Sequence, residues 1–98
     1  MKREDSPVER EGFSRAIRHA QTLLATHFPP TPLVHAASLD TGGRRVYLKI
    51  ESDLPTGSFK VRGAVYAMAR HVERHGTTPV IAASTGNHGA AVAYAGQL

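Results

Sequence analysis

An open α/β layer, with a parallel sheet and flanking helices, is what this 98-residue sequence predicts. Three observations carry the prediction. Residues 45–51 (RVYLKIE) alternate apolar and polar with period two, Val61, Ala64, Val65, Met68 and Val72 recur on one helical face, and residues 79–83 (PVIAA) are all apolar before a small-residue segment. Strand, helix, strand, helix in that order gives parallel strands joined by right-handed crossovers.

Taken in order, residues 1–11 are dense in charge and contain Pro7, so they bury too little to order themselves and are expected to form a loose tail. The domain proper is then residues 12–98. Phe13, Ile17, Ala20 and Leu24 follow at helical spacing, and the prolines at 29, 30 and 32 stop that helix and leave Thr31-Pro32-Leu33 as an extended connector. The Gly42-Gly43 doublet is a turn into the strand at 45–51. Residues 53–57 (DLPTG) break the chain before a helix starting near Ser58, whose end is marked by Arg70, His71, Arg74, His75 and a C-capping Gly76. Residues 79–83 read as a parallel strand covered on both faces, and residues 90–95 as a helix packed closely on the sheet.

Composition narrows the function classes. Hydrophobic residues make up 41% and charged residues 20%, near ordinary globular usage. Twelve basic residues against 8 acidic give a net charge of +4, but the signs are interleaved and form no basic stripe, so no nucleic-acid partner is expected. No cysteine is present, which excludes disulfides and thiolate metal sites. No long apolar run and no signal-like amino terminus occur, so a soluble protein without a membrane partner is expected, with the cytoplasm as the default compartment.

Two places carry chemistry. Lys60 in Gly57-Ser58-Phe59-Lys60 falls at the start of a predicted helix, where the positive pole of the macrodipole disfavours an ammonium and favours a nucleophilic amine, with Phe59 as an apolar neighbour. A solvated helix-start lysine is the plainer reading of the same residues. The second place is residues 84–89 (STGNHG), after the apolar run and before a helix. Its free backbone donors, its glycines and the side chains of Ser84, Thr85 and Asn87 make an anion cradle or, more simply, a capped turn. Both lie at the carboxyl ends of predicted strands, the edge at which open α/β sheets bind ligands. His71 and His75 stand one helical turn apart, but the glutamate of a zincin pattern is misplaced, and no metal is expected. Glu51 and Asp53 read as a strand-end surface pair.

Tyr47-Leu48-Lys49-Ile50-Glu51, residues 55–64 (PTGSFKVRGA) and residues 82–89 (AASTGNHG), with Thr31-Pro32-Leu33 upstream, resemble the fold-type II pyridoxal-phosphate enzymes. Within that group the sequence is most similar to the threonine/serine dehydratases (ammonia-lyases) and serine racemase. The resemblance covers roughly residues 30–96. It implies a partial domain of the tryptophan synthase β-like kind, pyridoxal 5'-phosphate as cofactor, a small amino-acid substrate and a homo-oligomer in full-length form. It also implies that Lys60 holds the cofactor as a Schiff base and acts as catalytic base, that Phe59 packs on the pyridine ring and that Asn87 bonds its 3′-hydroxyl. Ser84, Thr85, Gly86 and His88 are placed by it around the substrate carboxylate.

The reaction so implied is deamination of a β-hydroxy amino acid to a 2-oxo acid, with the cofactor as electron sink. The dehydratases commonly carry alanine where Thr85 stands and the racemase a serine, so an amino-acid racemase is the alternative enzyme. A non-catalytic α/β anion-binding module is the alternative of another class. Family members are several hundred residues long, with a glycine-rich phosphate loop that has no counterpart here, so the sequence is expected to be a truncated amino-terminal part, inactive by itself.

Overall fold

A computed structural model describes residues 6–98. Helix α1 (Pro7–Ala25) begins earlier than the Phe13 period predicts, because Ser6 and Glu9 form a reciprocal capping box: the Ser6 hydroxyl accepts the Glu9 N–H at 3.2 Å and the Glu9 carboxylate accepts the Ser6 N–H at 2.7 Å. The Ser6 backbone donor, with its hydroxyl, holds the Glu9 carboxyl below the usual carboxylate range. Of the tail expected over residues 1–11, residues 1–5 lie outside the described residues, and residues 7–11 are the opening turns of α1.

The connector after the prolines becomes strand β1 (Leu33–His35), paired antiparallel with β2 (Tyr47–Lys49) in the register Val34↔Leu48. Backbone bonds from Ala36 N–H to Val46 and from Ile50 N–H to Pro32, each 2.9 Å, carry the pairing past the strand ends. At the tip, Gly42 and Gly43 have φ of 58° and 73°, the left-handed pair that a two-residue type I′ turn demands. Asp40 braces the hairpin by accepting from the Val46 N–H at 2.8 Å and pairing with His35 at 2.7 Å.

The open parallel sheet is not present among the described residues, whose named strands form this one antiparallel pair. Residues 79–83 form no strand, and they are not covered: Ile81 is 99% exposed. A strand exists only through a neighbour that takes up its backbone donors and acceptors, and β1 and β2 take up each other.

Helix α2 (Lys60–His75) follows the predicted period closely and ends at Gly76, whose φ of 72° and ψ of −169° suit glycine almost alone. Helix α3 (Asn87–Ala95) packs on α2 rather than on a sheet, with Ala91 and Ala95 buried in one core with Val61 and Val65. Side chains four apart on each helix face each other, and the small alanines let the backbones approach. Phe28 and Leu54 complete the core, each about 5% exposed or less.

Candidate active site

The path from β2 to α2 is a sharp one. Leu54 is buried, the Gly57 N–H donates to its carbonyl at 2.9 Å, and Pro55-Thr56 fill the two central places of the turn, Thr56 with φ 69° and ψ 0°. These are the dihedrals of a type II turn at the position that normally takes glycine, so a β-branched residue is held there under strain of about 1–3 kcal/mol. The turn delivers Phe59 as the N-cap residue of α2 and Lys60 as its first residue. The Lys60 N–H donates to the Ser58 hydroxyl at 3.3 Å, and the Lys60 ammonium lies 5.9 Å from the centre of the exposed Phe59 ring.

Lys60 borders a groove of about 620 Å³ between α2, residues 79–82 and the start of α3. On its α2 side the lining residues are Lys60, Gly63, Ala64, Ala67, Met68 and His71, a single face at helical spacing. His88 lines the opposite side. The groove therefore brings together Lys60 and a member of the second motif, as the sheet-edge argument expects, although no sheet edge forms between them. Phe59, Ser84, Thr85, Gly86 and Asn87 are exposed and lie outside the groove lining.

Neither Thr85 nor Asn87 caps α3. Its N-cap is Gly86, no side chain accepts there, and the Ser84 hydroxyl instead accepts the Gly86 N–H at 3.1 Å. Gly89 has a steric reason: a Cβ at that position would stand 3.2 Å from the Ser84 Cβ, so glycine lets the loop fold back on the first turn of α3. No group of three or more metal-ligating side chains occurs among the described residues; His71 bonds Thr78 at 2.7 Å, and its ring lies 4.9 Å from that of His75, tilted by 46°.

Behind Lys60 lies an ionic network that the sequence did not reveal. The Arg62 guanidinium donates to both carboxylate oxygens of Glu51, from Nε at 2.7 Å and from its terminal nitrogen at 3.2 Å. The buried Thr31 hydroxyl donates to the same carboxylate at 2.9 Å, and Lys49 donates to the Thr31 carbonyl. Glu51 is thus a partner of Arg62, not one of a surface pair with Asp53. The Arg62 hydrogen bonds hold the Glu51 carboxyl below the usual carboxylate range; burial opposes them, and the Thr31 hydroxyl and the charges of Arg62 and Lys49 assist.

A pH dependence follows from that direction. A depressed folded-state pKa adds stability that is complete above the unfolded value of about 4.5 and is lost as pH falls through the folded value. Urea midpoints measured downward from pH 5 should decline, and Glu51→Gln should flatten part of that limb, leaving the share that belongs to Glu9. An unchanged slope in the variant would show that the network carries no linkage.

Comparison with known proteins identifies the family. The family described as pyridoxal-phosphate dependent enzyme matches residues 24–98. An L-threonine ammonia-lyase of Thermotoga maritima is 42% identical over 84 residues, covering 84% of this chain and 21% of that protein. A serine racemase of Oryza sativa subsp. indica is 34% identical over 95 residues, covering 93% of this chain and 28% of that one. An L-threo-3-hydroxyaspartate ammonia-lyase of a Pseudomonas species is 41% identical over 69 residues, 69% of this chain and 22% of its own length. The chain spans between 21% and 28% of the length of these curated relatives. No solved structure gives a significant match. With the family match running through the strained turn, Lys60 and the loop at 84–89, the chain belongs to the pyridoxal-phosphate dependent enzymes.

Proposed function

We propose that the protein is an ammonia-lyase acting on a β-hydroxy amino acid such as threonine or serine, and that the stretch from the start of α1 onward is the amino-terminal part of its cofactor domain. The observation that carries the reading is the placement of Lys60, a primary amine at the start of α2, on one groove with His88 of the second motif. Two named relatives are ammonia-lyases of β-hydroxy amino acids.

The residues present suit pyridoxal phosphate. Its aldehyde takes a primary amine, which Lys60 offers at the groove edge, and its flat ring takes an aromatic face such as the exposed Phe59. Asn87, on the first turn of α3, is assigned to the ring hydroxyl. When bound, the cofactor supplies an electron sink for the charge left at the substrate α-carbon.

The chain's own part is acid–base work and binding. Lys60 Nζ, as a free amine, would take the proton from the substrate α-carbon. The exposed N–H groups at the start of α3, with Ser84, Thr85, Gly86 and His88, receive the substrate carboxylate, favoured there by the positive pole of the helix. Water exclusion and the phosphate cradle belong to the remainder of the protein. In the same reading, residues 79–83 become an inner strand of a parallel sheet once a neighbour pairs with them. The exposure of the apolar side chains of Val80 and Ile81 supports this.

The whole protein, given L-threonine or L-serine with pyridoxal phosphate, should release a 2-oxo acid and ammonia. Interconversion of L- and D-serine without ammonia would instead favour the racemase, to which the hydroxyl of Thr85 and the Oryza relative point. Neither product would sink both enzyme readings and leave the binding module.

A further inference from the structure

We propose that the Glu51–Arg62 ion pair is a positioning clamp for Lys60, fixing the rotation of α2 about its own axis so that the amine comes to the groove edge. The inference rests on Lys60 being the cofactor-binding amine and assigns to two further residues the task of aiming it.

The geometry supports it in three steps. Successive residues of an α-helix turn by about 100°, so Arg62 leaves α2 roughly opposite to Lys60, and Val61, fully buried between them, faces the core. Anchoring Arg62 therefore turns Lys60 away from the core and toward the groove. The anchor is directional, since a guanidinium that donates to both oxygens of one carboxylate fixes an angle as well as a distance. Its far end is fixed too: Glu51 lies just past β2, and the buried Thr31 hydroxyl holds the same carboxylate against the chain entering β1. Val61 seats the start of α2 in the core and the Ser58 hydroxyl takes the Lys60 N–H, but Phe59 makes no side-chain cap and the first turn holds no acidic residue, so the ion pair adds the charged, directional hold that the helix start otherwise lacks.

The chain has three lysines, Lys2, Lys49 and Lys60, which permits an internal comparison. The protein is treated with limiting pyridoxal phosphate, trapped with borohydride, and the pyridoxyl label on each lysine is quantified by peptide mass spectrometry. Parallel samples receive trace acetic anhydride, which reports amine reactivity independently of the cofactor. Preferred pyridoxyl labelling of Lys60 over Lys2 in the parent is the test of the reading beneath the proposal.

For the clamp, Glu51→Gln should lower the Lys60:Lys2 labelling ratio about tenfold and Arg62→Lys, which keeps charge but loses the fork, by a smaller factor. The acetylation ratio should move with it, at temperatures where circular dichroism shows each variant folded. If Glu51→Gln does not fold, Thr31→Val removes one anchor of the carboxylate and should give the same change in smaller measure. Folded variants in which both ratios match the parent overturn the clamp, whatever the parent's preference. A parent without preference for Lys60, whose acetylation still responds to Glu51→Gln, keeps the clamp and overturns the assignment of Lys60 to the cofactor.

Discussion

Lys60→Ala should abolish 2-oxo acid release by the whole protein while leaving its fold intact. A positioned general base contributes about 10²–10⁴-fold, and loss of the covalent hold on the cofactor adds to that, so a fall of at least roughly 10³-fold is expected. The fold survives for a simple reason. Lys60 is exposed at the first position of α2, its side chain carries no part of the core, and alanine is the better helix former. Steady-state assays beside circular dichroism separate the two effects. Activity within tenfold of the parent would remove Lys60 from the chemistry, and lost helicity would show that its role is structural.

The second large effect is on stability. Phe28→Ala should destabilise the chain by about 3–5 kcal/mol, the usual cost of emptying a buried aromatic site. Phe28 is 4% exposed, closes the end of α1 through its N–H to the Leu24 carbonyl, and lies against Tyr94 of α3 with ring centres 6.3 Å apart. It joins the first helix to the last in a core whose other buried members are a leucine, two valines and two alanines. At roughly 4–8 °C per kcal/mol for a domain of this size, the thermal midpoint falls by tens of degrees. A loss below about 1 kcal/mol would mean that the six-residue core is not what holds the helices together.

What the sequence made legible follows the range over which each signal acts. The 61–72 period and Gly76 define α2 because helix formation is local, and the same locality put Lys60 at its start. The early start of α1 was also written locally, in Ser6-Pro7-x-Glu9, but the surrounding charge reads as a tail before it reads as a cap. β1 was hidden because a three-residue strand just after three prolines has no period of its own, and only β2 gives it meaning. The run at 79–83 shows the converse: its composition announces a strand, yet composition cannot provide the partner. At the site, Lys60 and His88 were placed together by an argument about sheet edges, and they do share a groove, although two helices and a loop build it. Glu51 with Arg62 escaped notice because ten residues, a turn and two kinds of structure separate them, and no spacing rule joins a strand end to a helix face.

The face of α2 that floors the groove shows how selectivity could be set by subtraction. Between Lys60 and Met68 that floor is made of Gly63, Ala64 and Ala67, three positions that contribute almost no side chain. Depth there is a matter of missing atoms, so it can be graded one methyl group at a time without touching a reactive group. In the proposed reading the amine marks where chemistry happens, and the shortness of its neighbours on the same helix sets how bulky a molecule can lie alongside it.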